Sequence, residues 1–259
     1  MEVHHHPQVE KKKFKEYFFE FLMIFLAVSM GFFAESLREQ ILDKNREKEY
    51  MKEIVENLGY DSTRCAMNAE TNAQIFLGLD SLRNQLKEAI RGSVHGDRLY
   101  YFVLKYLGKT GHAVFNTSAI TELKNSGSLR LIRNKELVSE IADYYERKIF
   151  AAQSFLPTQA QLDALQQTEY EFISLLDLDE YVKSYDDIQE STYSNNYDLA
   201  ALLLRQPDLR ILKTGAPDLE RFYTRVSEFE IRLKNYNFWL LYCKRAAVKL
   251  MADIRQRGH

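Results

Sequence analysis

The chain has 259 residues, and its 10 glycines and 4 prolines are too few for a collagen-like repeat, a glycine-rich β-propeller or a proline-rich stalk. A hydrophobic content of 46%, with 13% aromatic residues, is enough for a packed core and excludes wholesale disorder. The net charge of −2 and the two cysteines argue against an overall attraction to nucleic acid and exclude a four-cysteine zinc site. No nucleic-acid partner is expected.

The chain begins with a basic tail, 1–16, followed by an apolar segment, 17–34, whose only charged residue is Glu20. In a helix this segment spans about 27 Å, close to the roughly 30 Å hydrocarbon core of a bilayer. Its apolar side chains lie on every side, whereas a surface helix shows one stripe. We therefore expect a retained transmembrane helix. A cleaved signal peptide and a buried helix of a soluble protein are the alternatives.

The charges around this segment bear on its orientation. Four basic residues precede it and four follow it, at Lys11, Lys12, Lys13 and Lys15, and at Arg38, Lys44, Arg46 and Lys48. The first group is denser and carries the terminal amine, so the positive-inside rule favours an N-terminus in the cytoplasm. We expect a single-pass protein of the inner (cytoplasmic) membrane, with the rest of the chain in the periplasm or outside the cell.

The remainder, 35–259, is predicted to be an all-α domain that continues from the membrane helix. Dense charges and apolar residues at gaps of three, four and seven predict a long helix over 36–91. The glycine at 59 also allows a break there, with Asp61 as the cap of a new helix. A helix-turn-helix corner is predicted over 115–153, and an acidic, tyrosine-rich loop over 177–197.

The most regular pattern lies in the last segment, 217–257, where apolar or small residues alternate at gaps of three and four. These residues are Leu219, Phe222, Val226, Phe229, Leu233, Tyr236, Leu240, Cys243, Ala247, Leu250 and Ile254. The pattern predicts a coiled-coil-like helix packed along a straight seam, within its own chain or against a second copy. Cys65 and Cys243 both fall on apolar positions, so we expect antiparallel helices with the two residues level and two free, buried thiols.

Three stretches together resemble a family of single-pass membrane proteins of unknown function from Bacteroidetes-type bacteria. They are KEYFFEFLMIFLAVSMGFFAES at 15–36, REKEYMKEIVENLGYD at 46–61 and ITELKNSGSLRLIRNKELVSEIADYY at 120–145. That family usually follows its span with an asparagine pair and a tryptophan, where this chain has Glu35, Ser36 and Leu37. The chain therefore looks like a member of a sister group. The resemblance implies a membrane anchor and an extracytoplasmic helical domain, and it implies no activity.

The sequence contains no phosphate-binding glycine loop, paired-histidine zinc motif, CxxC or GxSxG. We expect no catalytic, cofactor-binding or metal-binding residues. Lys124, Arg130 and Arg133 in the corner could contact an anion or a partner; alternatively, the corner is purely structural, with Leu129, Leu131 and Ile132 buried in the core.

The first functional hypothesis is a non-enzymatic, membrane-anchored module that acts as a partner-binding scaffold or a sensor, with a protein partner or a second copy of itself. The alternative is a membrane-anchored enzyme or small-ligand sensor with a site near 115–135 and 177–197.

Overall fold

A computed structural model describes residues 14–93, 95–174, 176–178, 204 and 209–257. These residues are α-helical throughout the core, as predicted, and their only β-type pairing is an isolated antiparallel bridge between Ile173 and Ile211. The predicted acidic loop lies outside the described residues beyond position 178. The helices in chain order are α1 (Phe14–Ile90), α2 (Gly96–Tyr106), α3 (Ser118–Asn125), a 3₁₀ turn (Ser128–Leu131), α4 (Lys135–Ala142), a π-helical segment (Asp143–Lys148), α5 (Ile149–Ser154), α6 (Gln159–Phe172), a 3₁₀ turn (Leu176–Leu178) and α7 (Ala216–Gln256).

α1 is one uninterrupted helix of 77 residues, about 115 Å long. It passes through Gly59 without a break, so the alternative in which Asp61 caps a new helix is wrong: Asp61 is fully buried in mid-helix. The helix is exposed along almost all of 14–46, and it begins to pack against the rest of the chain at Glu47. Residues 35–46 therefore form a helical stalk, about 18 Å long, between the apolar segment and the folded domain.

α7 packs along α1 through the predicted seam, because all eleven seam residues are buried within this one chain. The two helices are antiparallel. The amide of Asn72 donates to Asn237 at 3.4 Å, and Arg83 pairs with Glu230 at 3.3 Å, so residue numbers fall on α7 as they rise on α1. Two turns before Asn72, Cys65 is thus level with Cys243, as the sequence predicted. Both thiols are free and fully buried.

The predicted helix-turn-helix corner is formed by α3, the turn at Ser128–Leu131 and α4. Gly127 opens the turn at φ 68°, in the left-handed region that glycine adopts without strain. Asn134 caps α4, since its side chain accepts a hydrogen bond from the backbone N–H of Leu137 at 3.0 Å. Of the three residues expected to be buried here, only Ile132 is; Leu129 and Leu131 are half-buried, because the turn runs along the edge of α1.

Candidate functional site

The α1–α7 pair has one long flank that no described helix covers. The cation of Lys234 lies 5.7 Å from the centre of the Phe76 ring on this flank, and Gly59 approaches Met251 there. The exposed and half-exposed side chains along it are called the open face. They are Ser62, Ala66, Glu70, Ala73 and Leu77 on α1, and Lys234, Leu241, Lys244 and Val248 on α7.

The two helices of the open face carry opposite charge. Positions 231–252 of α7 contain five cations and no acid, at Arg232, Lys234, Lys244, Arg245 and Lys249. The positions of α1 that lie alongside, about 57–78 in the register set by Asn72 and Asn237, contain two acids and one cation, at Asp61, Glu70 and Arg64, and Asp61 is buried. On the open face itself the charged residues are Glu70 on α1 and Lys234 and Lys244 on α7, and Lys234 also pairs with Glu230. Exposed apolar side chains lie among these charges. A surface with this mixture of apolar and charged groups is suited to another helical surface.

A cleft of about 440 Å³ lies on the other side of α7, against α4 and the π-helical segment. It contains three acids and three cations, at Glu140, Asp143, Asp253, Lys148, Arg245 and Lys249. Asp143 pairs with Lys148 and Arg147, and Glu140 pairs with Arg257 at 3.4 Å. Arg245, Lys249 and Asp253 form no ion pair with any described residue. The cleft could therefore hold a small charged group.

Tyr144 connects this cleft to the core. It lies in the π-helical segment, lines the cleft, and donates a hydrogen bond from its hydroxyl to Asp61 at 3.1 Å. π-Helical turns are rare and are frequently found at functional sites. The carboxylate of Asp61 also accepts the backbone N–H of Asn116 at 2.7 Å.

Burial raises the pKa of Asp61 to about 6, while the hydrogen bonds from Asn116 and Tyr144 act in the opposite direction. The neighbouring thiols behave similarly, since burial raises the pKa of Cys65 and of Cys243 to about 12. Thiols with such a pKa carry almost no thiolate at neutral pH and are poor nucleophiles. The arrangement around Asp61 is therefore a structural polar cluster with one group that titrates near neutrality.

The extended linker between α2 and α3 is held to the helix pair by buried side chains. Asn72 accepts the backbone N–H of Gly111 at 2.7 Å and donates to its carbonyl oxygen at 3.2 Å. The hydroxyl of Tyr236 accepts the backbone N–H of Ala113 at 3.0 Å. These bonds satisfy backbone groups that have no helical partner, and they position the corner relative to α1.

The three corner cations are placed as follows. Lys124 pairs with Glu146 of the π-helical segment at 2.6 Å. Arg130 and Arg133 are exposed, and the backbone N–H of Arg133 donates to the buried carboxylate of Glu47 at 2.8 Å. None of the three lines the open cavity beside α3, which is formed by 115–118, 121, 122, 125 and 126. An anion contact at the corner stays a prediction.

Within the described residues no group of three or more His, Cys, Asp and Glu side chains is placed to hold a metal ion. Comparisons of the chain with protein-family models, with curated proteins and with solved structures return no match. The function must therefore be argued from the geometry alone.

The open face and the cleft were both missed from the sequence. The absence of acids over 231–252 is visible there, in a chain with 37 acidic residues, and could have indicated the basic surface of α7. The cleft had no comparable signal, because its residues come from two segments about 100 positions apart and are brought together only by tertiary packing.

Proposed function

We propose that this protein is a single-pass protein of the inner membrane that carries a non-enzymatic, partner-binding helical module outside the cytoplasm. Its N-terminal helix is the anchor, with its N-terminus in the cytoplasm. The domain acts as a scaffold or a sensor. The chain belongs, on this proposal, to a sister group of the Bacteroidetes-type family that it resembles.

The proposal depends on the exposure of the apolar end of α1. This helix is long and apolar enough to cross a membrane, and none of its apolar window is buried by the rest of the chain. Large side chains such as Phe21, Met23 and Phe32 are 65%, 73% and 75% exposed. A water-soluble protein rarely leaves so large an apolar surface uncovered, whereas a bilayer would cover all of it.

The continuity of α1 supports the role of scaffold or sensor. The helix passes from the apolar segment through the stalk into the core without a proline or a break. A displacement or rotation of the domain would be transmitted along one rigid element to the membrane. The open face supplies a surface of the size and composition that protein partners use.

The π-helical cleft supports a second candidate function, the sensing of a small ligand. Arg245, Lys249 and Asp253, which pair with no described residue, lie there near the aromatic rings of Tyr144 and Tyr242. This combination suits a small organic molecule that carries charge. On this proposal the ligand would bind beside α7, whereas the sequence-based alternative has its site near 115–135 and 177–197.

The membrane anchor is tested by washing membranes that contain the full chain with alkaline carbonate, which removes peripheral proteins. The parent chain should stay in the pellet. A Phe25→Arg/Leu26→Arg variant should be released, because each arginine costs about 2.5–3.5 kcal/mol at the centre of a membrane helix. A Leu37→Arg/Ile41→Arg variant changes the same helix in the stalk and is the matched control. Release of the parent chain would contradict the proposal.

A further inference from the structure

We propose that two copies of this chain in one membrane pair through the open face, with α1 of each copy opposite α7 of the other. The result is a four-helix bundle with its two-fold axis along the membrane normal. This inference rests on the proposed membrane anchor, since the anchor gives both copies the same orientation and the same height. It adds the identity of the partner, which the proposed function leaves open.

The geometry of the helix pair sets the contacts. When a layer of two antiparallel helices is rotated by half a turn about an axis parallel to the helices, each helix faces the other kind of helix in the second layer. The face of α1 that carries Glu70 then meets the face of α7 that carries Lys234 and Lys244, and this contact forms twice. A translation without rotation would instead place like charges together.

Because both copies are anchored in one membrane, equivalent residues lie at the same height, and this determines which residues meet. The contact between Asn72 and Asn237 shows which positions of α1 and α7 are level. In that register Glu70 lies midway between Lys234 and Lys244, about 7–8 Å from each along the axis, within reach of long side chains. Neither Glu70 nor Lys244 forms an ion pair with a described residue. Both charges are therefore available to a second copy.

The apolar groups match in the same register. Leu241, which is 41% exposed, is level with the region of Ala66 on the facing α1. Between the charged positions, Ala66 and Ala73 leave room beside Leu241 for close approach of two helices. The pairing thus places apolar side chains against apolar side chains and acids against bases.

The area is at the lower limit for a specific dimer. The open face extends over about 16 residues, or about 24 Å, and a helix pair is about 20 Å wide. About 500 Å² would be buried on each copy, or about 1,000 Å² in total, which is the least that a specific interface usually buries. Leu241 lies near the middle of the face, level with about position 68 of α1, and Lys234 and Lys244 lie on either side of it along α7.

A lipid surface is not the occupant of this face. α7 is bound lengthwise to α1, so it stands along the anchor helix rather than lying flat on the bilayer. Its basic region at Lys244 is level with Cys65 or Ala66, about 45 Å along α1 from the end of the apolar segment at Ala34. This distance is several Debye lengths at physiological salt.

Crosslinking of the full chain in native membranes tests the pairing. Two differently tagged copies are co-expressed, one with Ala66→Cys and the other with Leu241→Cys, and a mild oxidant is added. A disulfide-linked dimer containing both tags is expected. The matched control pairs Leu241→Cys with Gln166→Cys, an exposed position on α6, and should give no product above the parent chain, whose two thiols are buried.

Charge reversal provides the second test. Glu70→Lys or Lys244→Glu should each lower the crosslinked fraction about tenfold, and the double variant should restore most of it, because the charges are then exchanged but still opposite. Failure to crosslink in a chain that resists carbonate would overturn the dimer and leave the anchor standing. Failure in a chain that carbonate releases would overturn the anchor itself. Crosslinking of both positions to a different protein would overturn the second copy as the partner.

Discussion

The hydroxyl of Tyr144 donates a hydrogen bond to the carboxylate of Asp61 at 3.1 Å, inside the core and 83 positions apart in the chain. This bond joins the π-helical segment to the middle of α1, and the same carboxylate holds the linker at Asn116. One buried carboxylate thereby connects α1, the corner and the cleft.

The first prediction concerns the pH dependence of stability. The pKa of Asp61 is about 6 in the folded state, against a usual value of 3.8. The folded state therefore binds the proton more tightly than the unfolded state, so this group's contribution to stability is greatest below about pH 4 and is lost as the pH rises through 6. A pKa shift of about two units corresponds to a loss of roughly 3 kcal/mol in the free energy of unfolding.

Asp61→Asn removes this titration and keeps the shape of the side chain. We measure the free energy of unfolding of the detergent-solubilised full chain at pH 4 and pH 7. The change between the two pH values should be smaller in the variant than in the parent, by up to about 3 kcal/mol. The difference between variant and parent isolates this group from all other carboxylates. Parallel pH profiles for the two proteins would show that Asp61 does not titrate in this range.

The role of Asp61 could not be predicted from the sequence. Its neighbour Gly59 gives the local pattern of a helix break, and an aspartate after a break is a good cap. The residues that decide its role, Asn116 and Tyr144, are 55 and 83 positions away. By contrast, the seam of α7 depends only on the spacing of apolar residues within one segment, and its burial was predicted correctly.

The second prediction compares two glycines on the same helix. A methyl group at Gly78 would overlap the ring of Tyr106, whereas at Gly59 it would lie at an ordinary 3.8 Å from the sulfur of Met251. Gly78→Ala should lower the free energy of unfolding by about 1–3 kcal/mol, because α2 must shift. Gly59→Ala should raise it by up to about 1 kcal/mol through helix propensity. Denaturant unfolding of the full chain in detergent measures both.

If Gly78→Ala is as stable as Gly59→Ala, α2 does not pack on α1 at this point. The comparison is informative because both variants make the same chemical change in the interior of α1. If Gly78→Ala were instead the more stable of the two variants, the position of the Tyr106 ring would be contradicted.

The third prediction concerns the two thiols. Cys65 and Cys243 are fully buried, and burial raises the pKa of each to about 12. Neither should react with a maleimide at pH 8 in the folded protein, and both should react after denaturation. Gln74→Cys, at an exposed position of α1, provides a thiol that should react at once. Equal labelling rates for the native thiols and this control would place the native cysteines at the surface.

The most direct test of the account is the side of the membrane on which the domain lies. Alkaline phosphatase fused after Gly258 matures only outside the reducing cytoplasm. The account predicts a full-length fusion that stays in the membrane after a carbonate wash and is enzymatically active. A full-length, membrane-bound fusion without phosphatase activity would contradict it, because the helical domain would then lie in the cytoplasm.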